Sequence, residues 1–147
     1  MNLAQLVCGS EGTLALVTQA TMRLVDRPGC TGLAVLGFDD VHSSLECISG
    51  ILETGPSAVE LLDSTIIDAA CSHEVYGDLL DLLPVGGDGT PGTILYVDYF
   101  TEDASSLEDR FAALRRVAPA ARVAHYMDSD SQEKLWYLRK VALGLIQ

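Results

Sequence analysis

The sequence is short of positive charge. Nine Lys and Arg stand against 21 Asp and Glu in 147 residues, a formal net charge of −12 at pH 7. A surface that neutralises nucleic-acid phosphates or settles on anionic lipid needs clustered Lys and Arg, so neither partner is expected. No apolar run approaches the roughly 20 residues of a membrane-spanning helix, and the N-terminus lacks the basic stretch of a secretory signal. The expected compartment is the cytosol. Histidine is scarce, with His42, His73 and His125 far apart. Cys8, Cys30, Cys47 and Cys71 form no C-x-x-C pair. Zinc-site and thioredoxin-type spacings are therefore missing; no metal is expected, and the cysteines read as reduced thiols. There is also no internal repeat. What is present is apolar content: 48% hydrophobic and 20% charged residues suit one ordinary globular domain with a single core.

The segment from Thr13 to Val25 is rich in Leu, Val and Thr and alternates in its second half, which predicts an extended pair or one bent strand. Pro28 and Gly29 close it. An apolar run from Gly32 to Phe38 reads as a strand, and Asp39 or Asp40 can cap the helix that follows. In that helix Val41, Leu45, Ile48 and Leu52 make an apolar stripe, and Gly55-Pro56 supplies its stop. Ser57 to Leu62 returns to strand, and Ser64 is the expected cap of a helix through Ile66, Ile67, Ala70 and Cys71. A further short helix is expected to carry Tyr76, Leu79, Leu80 and Leu83. Pro84 ends it, and the glycine-rich stretch from Gly86 to Gly92 reads as a loop. Thr93 to Phe100 is the strongest strand pattern, dominated by β-branched and aromatic residues. Ala104, Leu107, Phe111 and Leu114 mark a helix, and Arg122 to Met127 a strand. Asp130 with Glu133 resembles a capping box opening a last helix, whose buried face is Leu135, Leu138, Ala142 and Leu145.

This order contains β-α-β-β-α-β, which suits an α+β fold: a ferredoxin-like antiparallel sheet with helices on one face. A parallel doubly wound sheet is the alternative. It is disfavoured because several strands carry polar residues at alternate positions and no glycine-rich nucleotide turn follows a strand.

The most informative stretch is Cys8-Gly9-Ser10-Glu11-Gly12-Thr13-Leu14-Ala15-Leu16-Val17-Thr18. Glycine lets a backbone approach a ligand, and exposed N–H and hydroxyl groups can satisfy a phosphate or a flavin edge. The spacing matches neither the dinucleotide fingerprint nor the Walker A pattern, and on the residues alone a tight turn entering a strand is the better explanation. Glu60 and Asp63 lie three apart on an expected strand and so face opposite sides, which removes them as a paired acid and base. Each reads as a solvated or salt-bridged acid. Arg139, from spacing alone, reads as a helix-surface arginine paired with a nearby acid.

Three ordered motifs change that balance. Gly9-Ser10-Glu11-Gly12-Thr13-Leu14, continued by Thr18, Ala20-Thr21 and Arg23-Leu24, resembles the closing segment of the FAD-binding domain in vanillyl-alcohol-oxidase-type flavoproteins. The branch it is most similar to contains the D-lactate, glycolate and D-2-hydroxyglutarate dehydrogenases. Val59-Glu60-Leu61-Leu62-Asp63 looks like that branch's strand signature, and Leu135-Trp136-Tyr137-Leu138-Arg139-Lys140 like its L-W-x-x-R helix. Ala15 departs from the glycine usual in the first motif.

The resemblance implies that residues 1–28 end an FAD-binding domain and that residues 29–147 are part of a substrate domain. Gly9, Ser10, Gly12, Thr13 and Val17 would line FAD, and Arg139 would hold the carboxylate of a small 2-hydroxy acid, a task suited to its planar fork. Trp136 and Leu135 would support it. The family transfers a hydride from the α-carbon to the flavin. Its pyrophosphate-cradling segments and its histidine-rich metal and base motifs have no counterpart here, so this stretch alone is expected to be inactive. Its expected partners are the rest of its own FAD-binding domain or a second copy, docked on exposed apolar surface. The competing expectation is a non-enzymatic ferredoxin-like module that binds a ligand or another protein. A flavoenzyme segment should leave the first motif as an exposed ledge, whereas a self-contained module should bury it.

Overall fold

The computed structural model describes residues 2–72, 80–84 and 89–145, except for the side chains of residues 142–145. Its centre is set by two strands without polar alternation. Strand β1, Cys30–Phe38, is buried without a break from Gly32 onward. Strand β3, Thr93–Thr101, is buried from Thr93 to Tyr99. With β2, Ala58–Asp63, and β4, Arg122–Tyr126, they form one antiparallel sheet in the order β2-β3-β1-β4. That order, with helical connections after β1 and β3, is the ferredoxin-like plan expected from the sequence.

The helices, however, cover both faces. Ala34, Leu36, Phe38, Leu95, Val97 and Tyr99 pack on one side with Ile51, Leu107, Phe111 and Leu114. These last residues belong to α3, Ile48–Glu53, and α5, Ala104–Val117. Leu33, Val35, Ile94 and Tyr96 pack on the other side with Ile67, Ala70, Leu135 and Leu138. Those come from α4, Ser64–Cys71, and α6, Ser129–Leu145. The expectation of helices on one face is corrected for a simple reason. Polar alternation belongs to the edge strands β2 and β4, while continuous apolar runs in the inner strands demand cover on both sides. Each large aliphatic side chain fully buried this way contributes on the order of 1.5–3 kcal/mol of transfer free energy.

Aspartates open most of the helices. Asp40 accepts from Ser43 N at 2.9 Å to cap α2, Val41–Glu46. Asp103 accepts from Ser106 N at 2.8 Å to cap α5. Helix α4 is capped by Asp63, at 3.1 Å from Ile66 N, not by Ser64. Helix α6 is opened by Asp128, at 2.8 Å from Ser131 N. Asp130 pairs instead with Lys134 at 2.7 Å. The single helix expected over Val41–Leu52 is two, α2 and α3, joined at Cys47. The Ser44 hydroxyl donates to Val41 O at 2.7 Å and the Cys47 thiol to Ser43 O at 3.5 Å, so side chains compete with the helical ladder at the break. Gly55, at φ +73°, turns the chain out of α3.

The strand expected over Thr13–Val25 does not form. Beyond the short helix α1, Leu3–Val7, residues 11–27 are exposed and unpaired with the sheet. A half-apolar strand needs a partner edge and a covering face, and this segment has neither among the described residues. The Tyr76–Leu79 part of the expected short helix and residues 86–88 of the glycine-rich loop lie outside the described residues.

Candidate functional site

The glycine motif forms an open ledge. After α1, Gly9 (φ +80°), Glu11 (φ +49°) and Gly12 (φ +78°) take left-handed backbone conformations. For a glutamate this costs about 1 kcal/mol, and strain of this kind is common at ligand sites. The bonds that shape the loop are local. Ser10 N donates to Val7 O at 3.1 Å, and Ser10 O accepts from Thr13 N at 2.9 Å and Thr13 Oγ1 at 2.6 Å. A Cβ placed on Gly9 or Gly12 would meet nothing within 4 Å, so packing does not explain the glycines: backbone conformation does, and the space before them is open. Val17 is 62% exposed, in line with Leu14, Leu16, Met22, Leu24 and Val25. The residues fit one side of a flavin site, with accessible backbone and an apolar strip beside it.

Arg139 sits elsewhere, on α6 over the outer strand β2. Leu135 and Leu138 anchor the helix in the core, and Gln132 ties its start to β1 and β4 through Thr31 O and Tyr126 O, both at 3.2 Å. From this fixed helix the Arg139 Nε–H donates to Glu60 Oε2. Glu60 stands directly opposite Tyr96 in the β2–β3 ladder. The Tyr96 ring meets Trp136 edge-on, with centroids 5.7 Å apart and planes at 89°. Trp136 and Leu135 therefore support the helix, as expected. Glu60 faces α6 while Asp63 caps α4, so the two carboxylates work separately. An open groove of about 770 Å³ runs along the outer side of α6, lined by Asp130, Glu133, Lys134, Trp136, Tyr137 and Lys140. Arg139 is outside its lining; the groove follows one helix surface, and the ion pair is the better-built feature.

Two residues on the same sheet face escaped the sequence reading. Asp98 is 7% exposed, and burial raises its carboxyl pKa to about 6 against a bond from Tyr99 N that lowers it. The Tyr96 hydroxyl is buried without a hydrogen-bond partner among the described residues, and burial raises its pKa. An acid inside an otherwise apolar strand was the available signal for Asp98. On the opposite face the Tyr99 hydroxyl has its partner, Thr54 Oγ1 at 2.5 Å.

The four cysteines are unbridged and scattered. Among the described residues no three His, Cys, Asp or Glu side chains gather as a metal site, and no helix is long and apolar enough to cross a membrane.

Comparison with known proteins gives this architecture a class. The family described as FAD linked oxidases, C-terminal domain, matches residues 28–147, and the chain belongs to it. At the level of individual proteins, the chain is 29% identical over 97% of its length to the mitochondrial D-lactate dehydrogenase (cytochrome) 1 of Saccharomyces cerevisiae, covering 24% of that protein. It is 23% identical over 99% of its length to D-2-hydroxyglutarate dehydrogenase of Pantoea ananatis, covering 15% of it. Over 46% of the chain it is 43% identical to the probable mitochondrial D-lactate dehydrogenase of Danio rerio, covering 14% of that protein. The chain thus spans a quarter or less of the length of these relatives. Among solved structures, a prephenate dehydratase of Arthrobacter aurescens aligns over 86% of this chain and 39% of its own at 16% identity and a TM-score of 0.32, too slight a likeness to carry an argument.

Proposed function

We propose that the chain is a working part of a flavin-dependent dehydrogenase that oxidises a small 2-hydroxy acid of the D-lactate, glycolate or D-2-hydroxyglutarate type. The observation that carries this reading is the exposed ledge from Gly9 to Val17 joined to a domain of the FAD-linked oxidase family. A self-contained ligand-binding module would have buried this motif and the apolar residues behind it.

In this reading Gly9, Ser10, Gly12 and Thr13 hold FAD through backbone groups and the two hydroxyls, and Val17 packs beside it. FAD supplies the acceptor for the hydride that leaves the substrate's α-carbon. Arg139 takes the substrate carboxylate and fixes the α-carbon's orientation, which lowers the barrier by positioning. The hydroxyl proton needs a base, and no residue of this chain is assigned that part. The chain alone is accordingly inactive. The strip of Leu14, Leu16, Val17, Met22, Leu24 and Val25 docks the remainder of the FAD-binding domain, with pairing of two copies as the other occupant to be tested by sedimentation. A cytosolic compartment belongs to the same proposal. The yeast and zebrafish relatives are named mitochondrial, and cell fractionation decides between them.

The test is flavin retention. The purified chain, and a longer product carrying the preceding FAD-binding segments, are each mixed with FAD and passed through gel filtration. The expected result is a colourless chain and a yellow longer protein; a colourless longer protein contradicts the proposal.

A further inference from the structure

Among the described residues, the guanidinium of Arg139 is held from one side only. Its contact runs from Nε to Glu60 Oε2, and no other described residue takes an ion pair or hydrogen bond from it. A guanidinium offers two different edges to an acid: a lateral edge that includes Nε, and an end-on fork made by the two terminal nitrogens. Glu60 occupies the first. No described residue takes the second, and the side chain retains 36% of its exposure.

Both members of the pair are fixed from behind. Glu60 is placed by the β2–β3 ladder opposite Tyr96. Trp136, one helical turn before Arg139, rests edge-on against that same Tyr96 ring. Leu135 and Leu138, at 0% and 2% exposure, hold the turn of α6 that carries the arginine. A long side chain that would otherwise sample many rotamers is thereby kept in one direction before any ligand arrives.

We infer that Glu60 is a positioning residue: by gripping Nε it aims the free end-on fork of Arg139 at the carboxylate of an incoming 2-hydroxy acid. This rests on the assignment of Arg139 as the carboxylate-binding residue made above. In the opposite role Glu60 would be a stand-in carboxylate that substrate must displace; the contact at Nε rather than at the fork favours positioning, and the Glu60 variants below separate the two.

The test is made in the flavin-loaded full-length protein that carries this segment, with Glu60→Gln, Glu60→Asp and Arg139→Lys compared by steady-state kinetics and by flavin absorbance. Arg139→Lys tests the underlying assignment: KM for the hydroxy acid is expected to rise by about tenfold or more, since a lysine cannot make the fork. An unchanged KM removes that assignment and the inference with it. Glu60→Gln keeps an acceptor oxygen but loses the charge; KM is expected to rise about three- to tenfold with kcat changed much less, the pattern of a weakened ground-state grip. Glu60→Asp, which keeps the charge but retracts it, should raise KM as well, and thermal melting of each variant checks that the fold is kept. A rise in KM for Arg139→Lys with no change for either Glu60 variant overturns the positioning role while leaving the assignment of Arg139 intact. A fall in KM for Glu60→Gln also overturns it, by identifying Glu60 as a competitor for the fork.

Discussion

Asp98 brings a carboxyl into the sheet face that also carries Tyr96 and Glu60, and burial lifts its pKa from 3.8 to about 6. A group whose folded-state pKa is raised stabilises the fold fully below its unfolded pKa, and this stabilisation is lost as pH rises through the folded value. The capping carboxylates Asp40, Asp103 and Asp128 behave in the opposite sense. Bonds from Ser43, Ser106 and Ser131 hold their pKa values below 3.8, so their contribution is present above that pH and is lost below it. Thermal melts across pH should therefore peak near pH ~4–5 and decline toward neutrality. Asp98→Asn should remove the decline, raising stability at pH 7 by on the order of 2 kcal/mol, with little effect at pH 4. A neutral-side decline that survives this substitution contradicts the assignment. At this scale the sequence was only partly informative. The residue type of Arg139 and its place on a helix were visible, as was the prospect of a nearby acid. That Glu60 was the acid depended on a contact 79 positions away in sequence. Asp98 went unnoticed because a strand pattern reports which face a side chain takes, not what covers that face.

Elements were legible where local chemistry decides them. Strands β1 and β3 follow their unbroken apolar runs, and α5 follows its 3.6-residue stripe. Differences arose where neighbours decide. The expected cap of α4 is Ser64, but the chain uses Asp63, the residue before it, whose backbone is still extended at ψ 174°. Two-sided cover of the sheet does not follow from the polar positions of several strands, because those positions belong to the edge strands β2 and β4 while the inner strands bury both faces. Close approach of elements gives a further test. A Cβ on Gly92 would lie 2.2 Å from the backbone oxygen of Asp39, at the turn between β1 and α2. Because a backbone atom cannot step aside as a side chain can, Gly92→Ala should destabilise the domain by about 1–3 kcal/mol. Urea titration should show the lowered midpoint with an unchanged slope. A wild-type midpoint means the β3 entry is looser than described.

Taken whole, the chain is a two-faced α+β sheet domain with an N-terminal segment lying against almost nothing. Leu16, Leu24 and Val25 keep about nine-tenths of their exposure. Removing residues 2–27 should therefore leave the melting temperature of the domain nearly unchanged, within the effect of surface substitutions of about 0.5 kcal/mol. A large loss of stability on truncation means that the segment packs on the domain in solution. The periodicity of Thr13–Val25 promised a strand because it registers apolar content without revealing whether a partner edge is within reach. The motif itself, in contrast, is legible in the sequence as a resemblance, and its glycines take left-handed backbone conformations even though the loop is uncovered.

The central claim is that this domain serves a flavin that oxidises 2-hydroxy acids. It is tested most directly by the absorbance of the flavin-loaded full-length protein during anaerobic titration with D-lactate, glycolate and D-2-hydroxyglutarate. The account predicts that at least one of these acids bleaches the oxidised flavin band and that Arg139→Lys shifts the titration to higher acid concentration. A flavin that stays oxidised in the presence of all three contradicts it.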